Sequence, residues 1–170
     1  MARAIILCGG NADDMKTRLQ QAQRLINLHV GPVLHCSHRY KSRAWGFESE
    51  REFSNQVLEA DTEMSPEELL DTLQRIEGEL GRDRRAEAAE KARTGARYAS
   101  RAIDLDILFY DDEIIRTDRL TIPHPLLHER EFALVPLCER MRDYRHPVLG
   151  RTIGELLEAL KRSEENHEDA

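Results

Sequence analysis

The run Ile103-Asp104-Leu105-Asp106-Ile107-Leu108-Phe109-Tyr110 sets two carboxylates inside an otherwise apolar stretch. Strand side chains alternate between faces. This spacing therefore predicts a strand with Ile103, Leu105, Ile107 and Phe109 on one face and Asp104, Asp106, Leu108 and Tyr110 on the other. The apolar face requires a core. The opposite face holds two acids one side-chain period apart, about 7 Å between their Cα atoms. Two carboxylates held that way suit a hard cation such as Mg²⁺, which takes oxygen ligands. Solvated or salt-bridged surface acids are the plain alternative, and a D-x-D points to a metal more than to any one reaction.

The segment before this strand sharpens the reading. The chain has a net charge of −7, yet residues 82–101 carry a local balance of +4 through Arg82, Arg84, Arg85, Lys91, Arg93, Arg97 and Arg101. Carboxylates beside a cation-rich loop make a place to bind Mg²⁺ and a polyphosphate together. Phosphate transfer needs metals and cations to hold the phosphate oxygens, and arginine forks onto them. Arg82, Arg84, Arg97 and Arg101 are the candidates. No G-x-x-x-x-G-K-[ST] and no G-x-G-x-x-G occurs, so neither a P-loop nor a dinucleotide fold is indicated.

At 170 residues the chain is sized for one domain, read as 1–162, with a polar, disordered tail over 163–170. The acidic balance argues against a nucleic-acid partner. No run approaches the ~20 apolar residues of a membrane span. The start lacks a secretory pattern, and a cytoplasmic setting is expected. Cys8, Cys36 and Cys138 are odd in number and read as reduced, mostly buried thiols. His35-Cys36-Ser37-His38 invites a metal reading, but no second ligand pair stands out.

Periodicity supplies the elements. Residues 3–8 read as a strand ended by Gly9-Gly10-Asn11, and residues 13–28 as an amphipathic helix through Met15, Leu19, Ala22 and Ile26, capped by Asn11 or Asp13. Val33 to Tyr40 is a second strand, Lys41 to Glu52 a loop, and Phe53 to Ala60 a third strand. Ser65-Pro66-Glu67-Glu68 is a capping box opening a helix that Gly81 stops. Residues 83–100 are poor in large apolar side chains and read as a mobile loop. The aspartate strand turns at Asp111-Asp112 and returns through Ile115. Residues 119–126 form a loop. Helices around 130–140 and from Thr152, the latter with a Thr152/Glu155 capping box, complete the chain. The order is ferredoxin-like βαββαβ, an α+β fold with a mainly antiparallel sheet and helices on one face. Fold alone assigns no chemistry.

Phe53 and Asn55 share a face of the third strand. An aromatic beside a carboxamide can stack on and hydrogen-bond a planar heterocycle, although an ordinary core Phe with a strand-edge Asn is the plainer explanation of the pair. Phe132 and His124 have structural explanations by default.

Taken together these motifs resemble the 6-hydroxymethyl-7,8-dihydropterin pyrophosphokinase family of folate biosynthesis, over about residues 3–160. The most specific stretch is Arg97-Tyr98-Ala99-Ser100-Arg101-Ala102-Ile103-Asp104-Leu105-Asp106. Phe53-Ser54-Asn55, Gln74-Arg75-Ile76-Glu77, Leu120-Thr121-Ile122-Pro123-His124-Pro125 and Arg130-Glu131-Phe132 follow in register.

The resemblance implies transfer of pyrophosphate from ATP, the co-substrate, to the pterin hydroxymethyl group, with release of AMP. It implies two Mg²⁺ ions on Asp104 and Asp106, with Arg82 and Arg101 catalytic. Phe53, Asn55 and Phe132, with Ser42, Trp45, Gly46 and Tyr98, would bind the pterin. Gln74, Glu77, Arg84, Ile107, Arg119, Thr121, His124 and Arg130 would line the nucleotide site. A monomer acting on small molecules is implied. The resemblance also implies that 83–100 is a mobile lid that closes over the reactants. Three features depart from the family pattern: Gly10 replaces a serine, Tyr40-Lys41-Ser42-Arg43-Ala44-Trp45-Gly46 lacks a proline, and 86–96 reads as an insertion in the lid. Two other classes compete: a binding module of this fold without turnover, and a ferredoxin-like RNA-binding domain. The acidic charge and the absence of an aromatic RNP-type strand disfavour the last.

Overall fold

The computed structural model describes residues 1–43, 52–81 and 103–168. Trp45, Gly46, Arg82, Arg84, Arg97, Tyr98, Arg101 and the expected lid over 83–100 lie outside them.

The described elements, in chain order, are β1 (Ala2–Gly10), α1 (Met15–His29), β2 (Val33–Cys36), β3 (Tyr40–Arg43), β4 (Glu52–Thr62), α2 (Pro66–Glu79), β5 (Asp104–Tyr110), β6 (Ile115–Arg116), β7 (Thr121–Ile122), a 3-10 turn (Leu127–Glu129), α3 (Glu131–Met141) and α4 (Ile153–Glu168). The main sheet runs β2-β4-β1-β5, with β3 also on β4, and its pairings are antiparallel. This is the α+β, ferredoxin-like arrangement expected from the order of elements.

The helix boundaries follow local chemistry. Ser65 Oγ accepts the Glu68 backbone N–H at 3.3 Å, the first half of the α2 capping box, and its hydroxyl donates to the Glu68 carboxylate at 3.1 Å. Gly81 ends α2 at φ +94°, a conformation that glycine adopts without a Cβ penalty. The Thr152/Glu155 box closes reciprocally: Thr152 Oγ1 accepts the Glu155 backbone N–H at 3.1 Å, and the Glu155 carboxylate accepts the Thr152 backbone N–H at 3.2 Å. Neither Asn11 nor Asp13 is the α1 cap. Asp14 occupies that position and makes no side-chain cap bond.

The second strand divides at Ser37. Its backbone N–H donates to Val57 O at 2.9 Å, and its Oγ accepts the Val57 N–H at 2.9 Å. A hydroxyl thus replaces a ladder carbonyl, and the chain re-enters the sheet as β3. Ser37 is 3% exposed. Ser37→Ala is therefore expected to lower stability by about 1–3 kcal/mol by stranding the Val57 N–H, measurable by urea unfolding. An unchanged midpoint would remove Ser37 from the account.

Helices cover both faces of the sheet, not one. Ala4, Ile6, Cys8, Leu105 and Ile107 pack with α1 and α2 in one core. Ile5, Leu7, Val57, Leu108 and Phe109 pack with α3 and α4 in a second. A run of apolar residues from Ile107 to Tyr110, all buried, suits a strand covered on both sides.

A bulge corrects the predicted face of Phe109. Ile5 pairs with Phe109 but Ile6 pairs with Ile107, so Leu108 is the extra residue. Phe109 consequently joins Leu108 in the second core, and Tyr110 turns to the first. Two other expectations also change. Beyond the Asp111-Asp112 turn the chain does not return along β5, because β6 pairs with β7 in a separate two-stranded sheet. The segment 163–170, expected to be a tail, is helical through Glu168 as the end of α4. Of the three thiols only Cys8 is buried, and Cys36 and Cys138 are half-buried.

Candidate active site

Gly9 and Gly10 are not a turn. They are the last two residues of β1, the central strand. Gly9 pairs with Asn55 on β4 and with Asp104 on β5, and Asn55 pairs in turn with Tyr40 on β3. Directly opposed residues of antiparallel strands share a face. Leu7, Val57, Ile5 and Phe109 assign that face to the second core. Ser42, Phe53, Asn55, Asp104 and Asp106 therefore all stand on the α3 side of the sheet, near the C-terminal end of β1, with Ser42 paired to Phe53 and Asp106 to Leu7. Four strands bring together residues more than sixty positions apart in the chain.

The start of α3 supplies the other wall. Arg130 immediately precedes it, and its guanidinium lies 5.5 Å from the centre of the Phe132 ring and 3.8 Å from Asp106 Oδ2. The first is a cation–π arrangement. The second is an ion pair between half-exposed groups, each ready to meet a ligand. Phe132 packs at the edge of the second core. An aromatic ring, an arginine, a carboxamide and two carboxylates thus face one space.

His124 is held beside them by the bulge. Its backbone N–H donates to Leu108 O, the extra residue of β5, at 3.1 Å. Its Nδ1 accepts the Leu126 N–H at 3.2 Å, so the ring proton belongs to Nε2. Burial, then the positive charge of Arg130, push its pKa down to about 4, partly opposed by Asp104. The imidazole is therefore a neutral donor at pH 7. His146 shows the same pattern on structural duty: Nδ1 accepts the Val148 and Leu149 N–H groups, at 3.2 and 3.0 Å, and burial lowers its pKa.

Both histidines resist protonation in the folded state, whereas unfolded imidazoles protonate near 6.5. Their stabilising contribution is complete above about pH 6.5 and declines as pH falls below it, in the case of His124 until about pH 4. Chemical unfolding across that window should show declining stability. His124→Gln should flatten the decline, and an equal slope in that variant would contradict the assignment.

Glu77 enters from the opposite side. It is 1% exposed, and its Oε2 accepts the Leu105 N–H, between the two aspartates, at 2.8 Å. Ile107 is buried in the first core, so a ligand can meet only its backbone. Gln74 and Thr121 are exposed. Arg119 is exposed and ion-paired to Glu67 at 2.9 Å and Asp71 at 2.5 Å on α2. Neither the burial of Glu77 nor the role of the bulge was legible in the spacing of residues. The signal available for the bulge was the unbroken apolar run after Asp106.

Asp104 and Asp106 fit a hard cation. They offer oxygen donors on one face, and Asp106 is 28% exposed. No group of three or more His, Cys, Asp or Glu side chains able to hold a metal occurs among the described residues. Mg²⁺ is commonly held by one or two carboxylates together with substrate phosphates, and this face supplies two. His35 Nε2 and His38 Nδ1 lie 3.8 and 3.2 Å from the Glu139 carboxylate.

Comparisons with known proteins converge on one family. The family model for 7,8-dihydro-6-hydroxymethylpterin-pyrophosphokinase (HPPK) matches residues 5–142. The 2-amino-4-hydroxy-6-hydroxymethyldihydropteridine pyrophosphokinase of Haemophilus influenzae is 40% identical over 147 residues, covering 84% of each chain. That of Aquifex aeolicus is 40% identical over 116 residues, covering 68% of this chain and 66% of the relative. The crystal structure of Plasmodium falciparum HPPK-DHPS with pteroate superposes with a TM-score of 0.77 at 15% identity. It shares the fold over 98% of this chain, which spans just under half (46%) of the Plasmodium one.

Proposed function

This chain belongs to the 7,8-dihydro-6-hydroxymethylpterin-pyrophosphokinase family, and we propose that it transfers pyrophosphate from ATP to the hydroxymethyl group of 6-hydroxymethyl-7,8-dihydropterin in folate biosynthesis. The observation that carries this reading is the shared face of Phe53, Asn55, Asp104 and Asp106 opposite Arg130 and Phe132. One half of that face suits a flat, hydrogen-bonding heterocycle. The other suits a cation and a polyphosphate.

In the reaction the pterin hydroxyl oxygen bonds to the β-phosphorus of ATP. The bond from that phosphorus to the oxygen bridging to the α-phosphate breaks, AMP leaves, and the hydroxyl proton passes to solvent. Asp104 and Asp106 would hold two Mg²⁺ ions, whose charge offsets that developing on the transferred group. Phe53 and Phe132 would stack on the pterin, Asn55 would read its edge, and Ser42, Trp45, Gly46 and Tyr98 would complete that side. Arg130 and the neutral His124, through Nε2–H, would donate to phosphate oxygens. Gln74, Arg84, Ile107, Arg119 and Thr121 would serve the nucleotide, and Arg82 and Arg101 the transferred phosphates. Glu77 would act through β5.

The free thiols and the use of ATP support a cytoplasmic setting. Small molecules are its expected partners.

The test is analysis of nucleotide products with ATP, Mg²⁺ and the hydroxymethylpterin. AMP that appears only when the pterin is present is the expected result. ADP would mean transfer of a single phosphoryl group, and retained pterin binding without turnover would mean a binding module.

A further inference from the structure

On β1, Ile5 and Leu7 send side chains into the second core, and Gly9 is next on that face. Gly9 has no left-handed φ, so its backbone conformation is open to other residues. Its requirement is space. A Cβ at Gly9 would stand 2.0 Å from Asn55 Oδ1 and 2.8 Å from Asn55 Cγ. The third neighbour, Ser54 O at 3.2 Å, would have to give by only a few tenths of an ångström. The Asn55 carboxamide therefore lies across β1, in the volume that a side chain at position 9 would fill. It extends from β4 toward β5, where the partner of Gly9 is Asp104. Asn55 is 6% exposed, so the carboxamide has little freedom to lie elsewhere.

We propose that Gly9 is a positioning residue for substrate recognition: its missing side chain is the slot that holds the Asn55 carboxamide over the central strand, on the same rung as Asp104. The inference rests on the pterin reading above and goes beyond it by naming what aims the carboxamide. A carboxamide offers a donor and an acceptor in one plane, the complement of an amino-oxo heterocycle edge. Such recognition discriminates strongly only when the groups are held in place, because an analogue that leaves a buried polar group unpaired is penalised. Fixing the carboxamide on the rung of Asp104 also fixes the separation between the recognised edge and the cation-binding carboxylate.

The experiment is a double-mutant cycle of Gly9→Ala, Asn55→Ala and the double variant. Pterin affinity is read by fluorescence titration in the presence of a non-hydrolysable ATP analogue with Mg²⁺, and affinity for that analogue is read separately. Gly9→Ala should weaken pterin binding about tenfold or more, while nucleotide affinity stays within about twofold. The double variant should bind pterin no worse than Asn55→Ala, because both changes remove one device. It should also melt above Gly9→Ala, because the clashing carboxamide is gone. Unchanged pterin affinity in Gly9→Ala, equal loss of both ligands, or additive losses would each overturn the proposal. If Gly9→Ala does not fold, recovery of folding in the double variant supports the slot, and failure there overturns it. A wild-type protein that binds no pterin would overturn the pterin reading and this inference with it. Wild-type binding that Gly9→Ala leaves intact overturns this inference alone.

Discussion

Asp106→Ala is expected to reduce pyrophosphoryl transfer by about three orders of magnitude or more while leaving the fold in place. The loss follows from removing one of the two proposed oxygen ligands for Mg²⁺, which would supply several kcal/mol of charge stabilisation, at about 1.4 kcal/mol per tenfold in rate. The fold survives because the Asp106 side chain is 28% exposed and its ion pair with Arg130 spans 3.8 Å at the edge of the site. An exposed pair of that kind contributes about 0–1 kcal/mol. The neighbours Leu105 and Ile107, which do hold β5 in place, are untouched. The check is AMP release over a Mg²⁺ titration, with thermal unfolding alongside. Activity within about tenfold of wild type would remove Asp106 from the metal site. A collapse of the melting temperature would show that the residue is structural.

Glu77→Ala should be costly for a different reason. Its carboxylate is buried and accepts the Leu105 N–H at 2.8 Å. Truncation strands that N–H, at about 1–3 kcal/mol, and the emptied volume adds a cavity term. The strand segment released carries Asp104 and Asp106 on either side of Leu105. Turnover should therefore fall together with stability. Glu77→Gln keeps an acceptor and nearly the same volume, and should recover most of both. A residue that only contacted the nucleotide would behave otherwise: KM for ATP would rise in both variants and the melting temperature would hold. Measuring kcat, KM for ATP and unfolding for the pair separates the two roles. An unshifted melting temperature in Glu77→Ala would end the positioning account.

The Glu77 case shows where sequence reasoning stops. Spacing placed Glu77 on α2, but it could not say that α2 packs against β5 closely enough for a side chain to bond the strand backbone. His124 is similar. As a lone histidine before Pro125 it has an ordinary structural explanation. Its neutral, Nε2-protonated form depends on the Leu108 bulge, the Leu126 N–H and the charge of Arg130.

Local chemistry was enough for what depends on neighbours in sequence. The capping boxes at Ser65 and Thr152, the α1 and α2 stripes and the Asp104/Asp106 alternation all rest on contacts within a few residues. So does the element order, from which the ferredoxin-like topology follows once strands pair antiparallel. Tertiary structure alone decided that Gly9 is strand and not turn, that Ser37 interrupts β2, that Phe109 reverses face, and that a second helical layer covers the sheet. Each of these turns on what lies across a strand or over a face: the Asn55 carboxamide, the Val57 N–H, the Ile5/Ile6 register shift and the α3–α4 pair. Periodicity records which residues prefer to be buried. It does not record against which partner, and the site is made of those partnerships.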